Sequence, residues 1–306
     1  MKFNTDSLQL KFIFRSVLLF ILFAPVFSWA QYFRAAPAQA LGGAGRANYG
    51  TASNYFLNPA LLVYAPSSVA SFYYQDGYYA KRSHSTVMGL GFIENKSRLL
   101  FSGAMSYLKS RYTRFDGESF GSPVEEEYVD ANFAKRITSS FSLGFNVYRL
   151  TQNPSIGVTD QYLGGGVGGH WLVSPNLSFA LVYQDLIQRD EDEAEPFLHR
   201  PRRLSAGVTW NLEGIATLNI DGLRIQPLDW QEEQDEETDY SVGLERVFRR
   251  YFVFRGGYEW QNSQDREFYT VGAAFRGPRL RLQYYFRKQD GAKNSDLHGI
   301  DMVLPF

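Results

Sequence analysis

The stretch "PRLRLQYYFRK", Pro278 to Lys288, sets Leu280, Leu282, Tyr284 and Phe286 on one side and Arg279, Arg281, Gln283 and Arg287 on the other. A repeat of two is the period of a β-strand with one apolar and one polar face. The split recurs in "FSLGFNV", where Phe141, Leu143, Phe145 and Val147 oppose Ser142, Gly144 and Asn146. It recurs again in "LSAGVTWN", with Leu204, Ala206, Val208 and Trp210 against Ser205, Gly207, Thr209 and Asn211. Extended along residues 67–306, this alternation predicts about fourteen strands.

The connections between them indicate which side of the apolar face meets water. "ENKS", "ITSS", "VSPN", "NLEG", "FRRY" and "RGPR" read as tight turns. The intervening connections, among them "TRFDGESFGSPVEEE", "QRDEDEAEPFLHRPR" and "PLDWQEEQDEET", read as long polar loops. Short turns on one rim and long loops on the other are the asymmetry of an outer-membrane barrel, and a soluble sandwich has no reason to sort its loops so. The expected fold is therefore all-β, a transmembrane antiparallel barrel of about fourteen strands with an N-terminal plug.

Composition agrees. The chain has 25 Phe, 20 Tyr and 5 Trp, yet its mean hydropathy is −0.29. After residue 30 no apolar run approaches the roughly 20 residues that a spanning helix needs, so a helical membrane protein is excluded there. The absence of cysteine excludes disulfide frameworks, thiolate metal sites and a lipid-anchored N-terminal cysteine.

Residues 1–30 carry Lys2, Lys11 and Arg15, an apolar core "SVLLFILFAPVF", and small residues Ser28 and Ala30 before Gln31, the pattern of a secretory signal peptide. Removing Lys2, Lys11, Arg15 and Asp6 from 31 basic and 32 acidic residues leaves 28 against 31, which gives no reason to expect a nucleic-acid partner. Between this signal and the first strand, residues 31–66 contain Gly42, Gly43, Gly45 and then Asn58-Pro59-Ala60. A wide barrel has room for such a segment, since roughly 16–18 strands already leave an aqueous channel. Asn58 is a good N-cap and Pro59 suits a first helical position, so "NPALLVY" predicts a short helix stopped by Pro66.

"ALGGAGRANYGTASNYFLNPALL" resembles the N-terminal hatch signature of the FadL superfamily, the long-chain fatty acid transporter family of outer-membrane barrels. Within it, "RAAPAQALGG" followed by "NPALL" is also similar to the PorV and PorQ branch associated with type IX secretion. The resemblance implies a hatch at Gly42, Gly43, Gly45, Asn58, Pro59 and Ala60, in a barrel that passes a hydrophobic small molecule sideways through a kinked wall. It implies no covalent chemistry and no cofactor. The PorV-like alternative implies instead a secreted client or translocon partner held by the acidic loops. Either way the expected location is the outer membrane of a Gram-negative bacterium, among lipid and lipopolysaccharide, with short turns and both mature termini toward the periplasm.

The last strand, "HGIDMVLPF", puts Ile300, Met302, Leu304 and Phe306 on one face and resembles the C-terminal signal read by the barrel assembly machinery. The run Gly164, Gly165, Gly166, Gly168 and Gly169 contains a formal dinucleotide fingerprint, but the turn Ser174-Pro175-Asn176 and another strand follow where a helix is required. Glycine in a strand marks a bend or a close approach, so this run is read as a seat for the plug or a lateral portal. The alternation places Asp221, Glu245, Arg255, Glu259, Arg279, Arg281 and Arg287 toward the lumen, where mixed signs point to mutual pairing and an arginine cluster offers an alternative seat for a carboxylate head group. The acid runs Asp190 to Glu195 and Glu232 to Glu237 lack the ligand pattern of a calcium loop and are read as solvated faces. Neighbouring His84 and Ser85 point to opposite faces of a strand, and His170, His199 and His298 lie in separate segments. No catalytic residue and no metal site is therefore expected.

Overall fold

The computed structural model describes residues 33–79, 83–95, 101–115, 120–154, 159–190, 201–226, 237–262, 265–292 and 295–306. The expected signal peptide and most of both acid runs lie outside these residues. Fourteen strands form one closed ring: β1 (Val69–Tyr79), β2 (Ser83–Glu94), β3 (Ser102–Phe115), β4 (Phe120–Arg136), β5 (Phe141–Pro154), β6 (Asp160–Ser174), β7 (Leu177–Asp190), β8 (Arg203–Leu212), β9 (Ala216–Ile225), β10 (Glu237–Phe248), β11 (Phe252–Gln261), β12 (Arg266–Arg276), β13 (Arg281–Gln289) and β14 (Asp296–Pro305). Each pairs antiparallel with its neighbour in sequence, and β14 closes on β1 through pairs such as Phe72 with Met302 and Tyr74 with Ile300. Closure leaves no edge strand unpaired.

The apolar face points outward. Met105, Trp171, Leu181, Trp210, Phe254 and Val271 are 51–63% exposed, whereas Ser142, His170, Ser205, Asn219 and Asp301 are fully buried on the inner face. Water would reverse this arrangement, so the outer surface is built to meet lipid. The molecule is a membrane-spanning β-barrel of the outer-membrane type.

Two expectations about the connections need correction. Residues 113–127, read as a long loop, belong mostly to β3 and β4, which pair up to Thr113 with Pro123 and Phe115 with Phe120. The acids Glu125, Glu126 and Glu127 concealed the first part of β4: Glu126 is buried inward while Lys109 bridges Glu125 at 3.0 Å and Glu127 at 3.7 Å on the other face. With β11 and β12 also separated only by 262–265, loop length sorts between the rims less sharply than the sequence predicts.

The N-terminal segment threads the lumen. Residues 35–48 are all buried. A short helix α1 (Ala36–Ala40), begun by Pro37 in its first turn, rests on β11, β12 and β13. Two 3-10 helices follow, Ala52–Phe56 and Pro59–Tyr64, and the second rests on β4, β5 and β6, half the ring away. The segment therefore spans the barrel from wall to wall. Its apolar side, Tyr55, Leu62 and Ala65, packs with Val69, Ile93, Ala104, Ala134 and Val303 of the wall.

Candidate functional site: the plugged lumen

Inner-face carboxylates hold the first half of the plug. The Ala36 amide donates to Asp301 at 2.7 Å. The amides of Gly45 and Arg46 and the Arg46 guanidinium all donate to one oxygen of Asp221, at 2.9, 3.0 and 3.0 Å. Arg34 bridges Glu259 at 2.7 Å, and Arg287 of β13 bridges the same carboxylate at 2.9 Å. A buried charge costs several kcal/mol unless paired, so these pairs fix both position and partner. Burial pulls the Arg46 guanidinium below its ordinary pKa despite Asp221, whereas for Arg34 the opposing burial is outweighed by Glu259 and the net shift is upward.

Of the residues expected in the lumen, Asp221, Glu245, Arg255, Glu259 and Arg287 are buried there. Arg255 and Arg276 share Glu245, at 2.7 and 3.0 Å. Arg279 is a correction: it lies exposed in the turn before β13, because that strand starts at Arg281 and not at Arg279. Arg281 is on the inner side of the first β13 pair but only half-buried, at the rim opposite Arg276.

The glycines and the Asn-Pro-Ala motif form the plug's turns and its seats. Gly42 has φ +69°, a left-handed conformation, and any Cβ there would sit 2.6 Å from the Tyr258 carbonyl oxygen. Gly43 and Gly45 share the positive φ, at +86° and +129°. Asn58 caps the second 3-10 helix by accepting from the Ala60 amide at 3.0 Å, and its amide group donates to the carbonyls of Arg46 at 3.0 Å and Gly169 at 3.2 Å. Pro59 begins the helix, and Ser142 donates to the Ala60 carbonyl at 3.1 Å. A Cβ on Gly168 would lie 2.2 Å from Asn58 Oδ1, and one on Gly144 would lie 2.5 Å from the Ala60 nitrogen. Gly243, Gly257 and Gly272 approach Leu41, Gly42 and Ala40 in the same manner on the opposite wall.

Sequence reading did not single out several inner-face residues that also hold the plug. His170 meets the Ala47 carbonyl through Nε2 at 3.2 Å and the Tyr64 hydroxyl through Nδ1 at 3.0 Å. Ser178 donates to the Ala47 carbonyl at 2.9 Å, Thr270 to the Ala40 carbonyl at 3.1 Å, and Asp301 receives Ala36. Their signal was a polar residue on the inward phase of a strand, which names the face but not the partner.

Beside the plug, one register row changes character around the ring. From β1 to β6 it runs Tyr73, Gly89, Leu108, Tyr128, Leu150 and Tyr162, each opposite the next. In the other direction Tyr73 faces Asp301, which faces Gln283. One arc is thus aromatic and aliphatic, and the other is polar. Phe33 of the plug packs on the apolar arc, with ring centres 5.2 Å from Tyr73 and 4.8 Å from Phe56.

The apolar arc ends where the wall is irregular. Between the pairs Gly165 with Ile187 and Val167 with Tyr183, the single residue Gly166 opposes Gln184, Asp185 and Leu186. Asp185 takes a left-handed φ of 59°, is fully buried, and accepts a hydrogen bond from Tyr148. A Cβ on Gly164 would meet the Tyr148 ring at 2.4 Å, whereas Gly169 has only ordinary contacts. β8 pairs with β7 only over Leu177 to Gln184. The glycine run therefore carries both a seat, at Gly168, and a wall bulge, at Gly165 to Val167.

On the last strand Ile300 is exposed, Met302 and Leu304 partly so, and Phe306 is 59% exposed against Phe92. The Phe306 amide donates to Ser68 at 3.0 Å, closing the ring beside the plug's exit. Among the described residues no group of three or more His, Asp or Glu is placed to hold a metal.

Fold and lumen together define a fourteen-stranded transmembrane barrel plugged by its own N-terminal segment. The chain matches no protein-family model and no curated protein. Among solved structures it is similar to the CymD monoaromatic hydrocarbon channel, at TM-score 0.69 and 12% identity over 92% of this chain and 99% of that one. It is likewise similar to the Pseudomonas putida toluene transporter TodX (TM-score 0.61, 12% identity, 92% and 98% covered). A Pseudomonas aeruginosa FadL homologue gives 0.62 at 12% identity, with 89% and 98% covered. The fold is that of the FadL-type channels.

Proposed function

We propose that the protein is an outer-membrane channel for small hydrophobic molecules, gated by its N-terminal segment. The observation that carries this reading is the apolar arc Tyr73, Leu108, Tyr128, Leu150 and Tyr162, which runs beside the plug to the interruption between β6 and β7. A molecule without strong polar groups loses nothing by leaving water for such a surface. The similar barrels CymD and TodX are named for monoaromatic hydrocarbons and toluene, which supports the same class of cargo. In the lumen Arg34, Arg46, Arg255 and Arg287 already face carboxylates, so a neutral cargo is favoured over one led by a carboxylate. The plug moves to open the passage, the β6–β7 bulge serves as a lateral exit, and the short turns and mature termini face the periplasm.

Native mass spectrometry of the barrel, gently solubilised from its own membrane, tests the reading. A retained apolar small molecule, lost on substituting Asn58 and Pro59, is the expected result. A retained secreted polypeptide or translocon subunit without a small ligand would replace transport by the client-binding role.

A further inference from the structure

Arginines gather on one arc of the short-turn rim. Arg246 ends the outward face of β10, Arg249 and Arg250 form the turn to β11, and Arg276, Arg279 and Arg281 surround the turn to β13. The two turns touch, because the Arg276 amide donates to the Tyr251 carbonyl at 2.7 Å. Arg276 bridges Glu245, but Arg246, Arg249, Arg250, Arg279 and Arg281 have no acidic partner among the described residues. Arg281 lies directly across from Arg276, a like charge.

A patch of aromatics borders this arc: Phe248 and Phe252 pair beside the Arg249–Arg250 turn, and Arg246 lies on the bilayer side of Phe248 on the same outer face. Phe248, Tyr251, Phe252 and Phe275 are 40–50% exposed, and Phe275 lies 5.8 Å from Phe252 and 6.3 Å from Tyr251 between ring centres. Exposed aromatic rings on a barrel mark the depth of the lipid head groups. The Arg249 guanidinium stands 5.4 Å from the centre of the Phe248 ring, so charge and ring share that depth.

The turn also departs from local rules. Arg249 and Arg250 take left-handed φ of 46° and 68°, a conformation that Asn and Gly adopt far more readily. Two successive arginines there set strained backbone against function, and such breaks in local consistency collect at functional positions.

We infer that Arg246, Arg249, Arg250 and Arg279 form a binding site for the phosphate of anionic lipid head groups in the leaflet at the short-turn rim. A guanidinium donates two parallel hydrogen bonds to phosphate oxygens, and several on one arc select a headgroup of net negative charge over a zwitterionic one. This holds whatever cargo the lumen passes.

The full-length barrel in detergent is offered equal phosphatidylglycerol and phosphatidylcholine and read by native mass spectrometry. Preferential retention of phosphatidylglycerol is expected, falling by about five-fold for each arginine removed. The variant carrying Arg249→Asn with Arg250→Gly relieves the turn, so it is expected to melt no lower than the parent while losing that preference. Equal retention of both lipids, or a preference untouched in this variant, overturns the inference. Displacement of phosphatidylglycerol by millimolar inorganic phosphate assigns the arc to soluble phosphate esters, and salt-sensitive capture of polyglutamate without lipid preference assigns it to an acidic polypeptide; both overturn the lipid site.

Discussion

Asn58 lies so close to Gly168 that a single methyl group on the glycine would stand 2.2 Å from the asparagine oxygen. The same asparagine reaches past it to the Gly169 carbonyl at 3.2 Å. Plug and wall are therefore complementary at this point to within one carbon atom. Gly168→Ala is expected to destabilise the closed state by about 1–3 kcal/mol, the usual cost of overpacking. Single-channel recordings in planar bilayers read this as more frequent openings, and Asn58→Ser in the same chain reduces the effect. Recordings indistinguishable from the parent would show that the seat is slack.

Asp221 is the hub of the plug's centre, accepting from two amides and one guanidinium. Asp221→Ala leaves Arg46 buried and unpaired, which costs about 3–5 kcal/mol. Adding Arg46→Ala removes the stranded charge, so the double variant is expected to recover part of the loss. Urea unfolding of the four members of this cycle measures the coupling. Additive losses would mean that the two groups do not depend on one another.

How far the lumen was readable follows from what alternation encodes. The phase of "PRLRLQYYFRK" correctly turns Gln283 and Arg287 inward, and the phase of β9 to β11 does the same for Asp221, Glu245 and Glu259. It misplaces Arg279 because period two continues smoothly through a turn that Pro278 makes. The first part of β4, from Phe120 to Glu126, was hidden because acids on both faces look like a loop. Partners were beyond reach altogether: Ala36 and Asp301 meet across 265 residues, and nothing local to either names the other.

The apolar arc is expected to carry cargo, and its weak point is polarity. Leu150→Asn places an amide among Tyr128, Tyr162 and their neighbours, at a cost of about 1–3 kcal/mol if it finds no partner. Toluene influx into proteoliposomes is then expected to fall about ten-fold while the amount of folded barrel stays near that of the parent. Undiminished influx would move the pathway off this arc.

The proposed opening takes the plug off its seats, and the cysteine-free chain permits a clean lock to test it. A Cβ built on Gly272 lies 2.5 Å from that of Ala40, and a disulfide needs about 3.5–4.5 Å, so the pair must separate by roughly 1 Å to be bridged. Thr270, two residues away on the same inner face, already tethers the Ala40 carbonyl at 3.1 Å, so α1 is held in register for the bond. Ala40→Cys with Gly272→Cys is expected to abolish influx when oxidised and to regain it with reductant, while each single variant passes cargo in both conditions. If the oxidised pair still conducts, α1 stays on β12 during transport, and the moving part is the other end of the plug, from Asn58 to Tyr64 against β4 to β6.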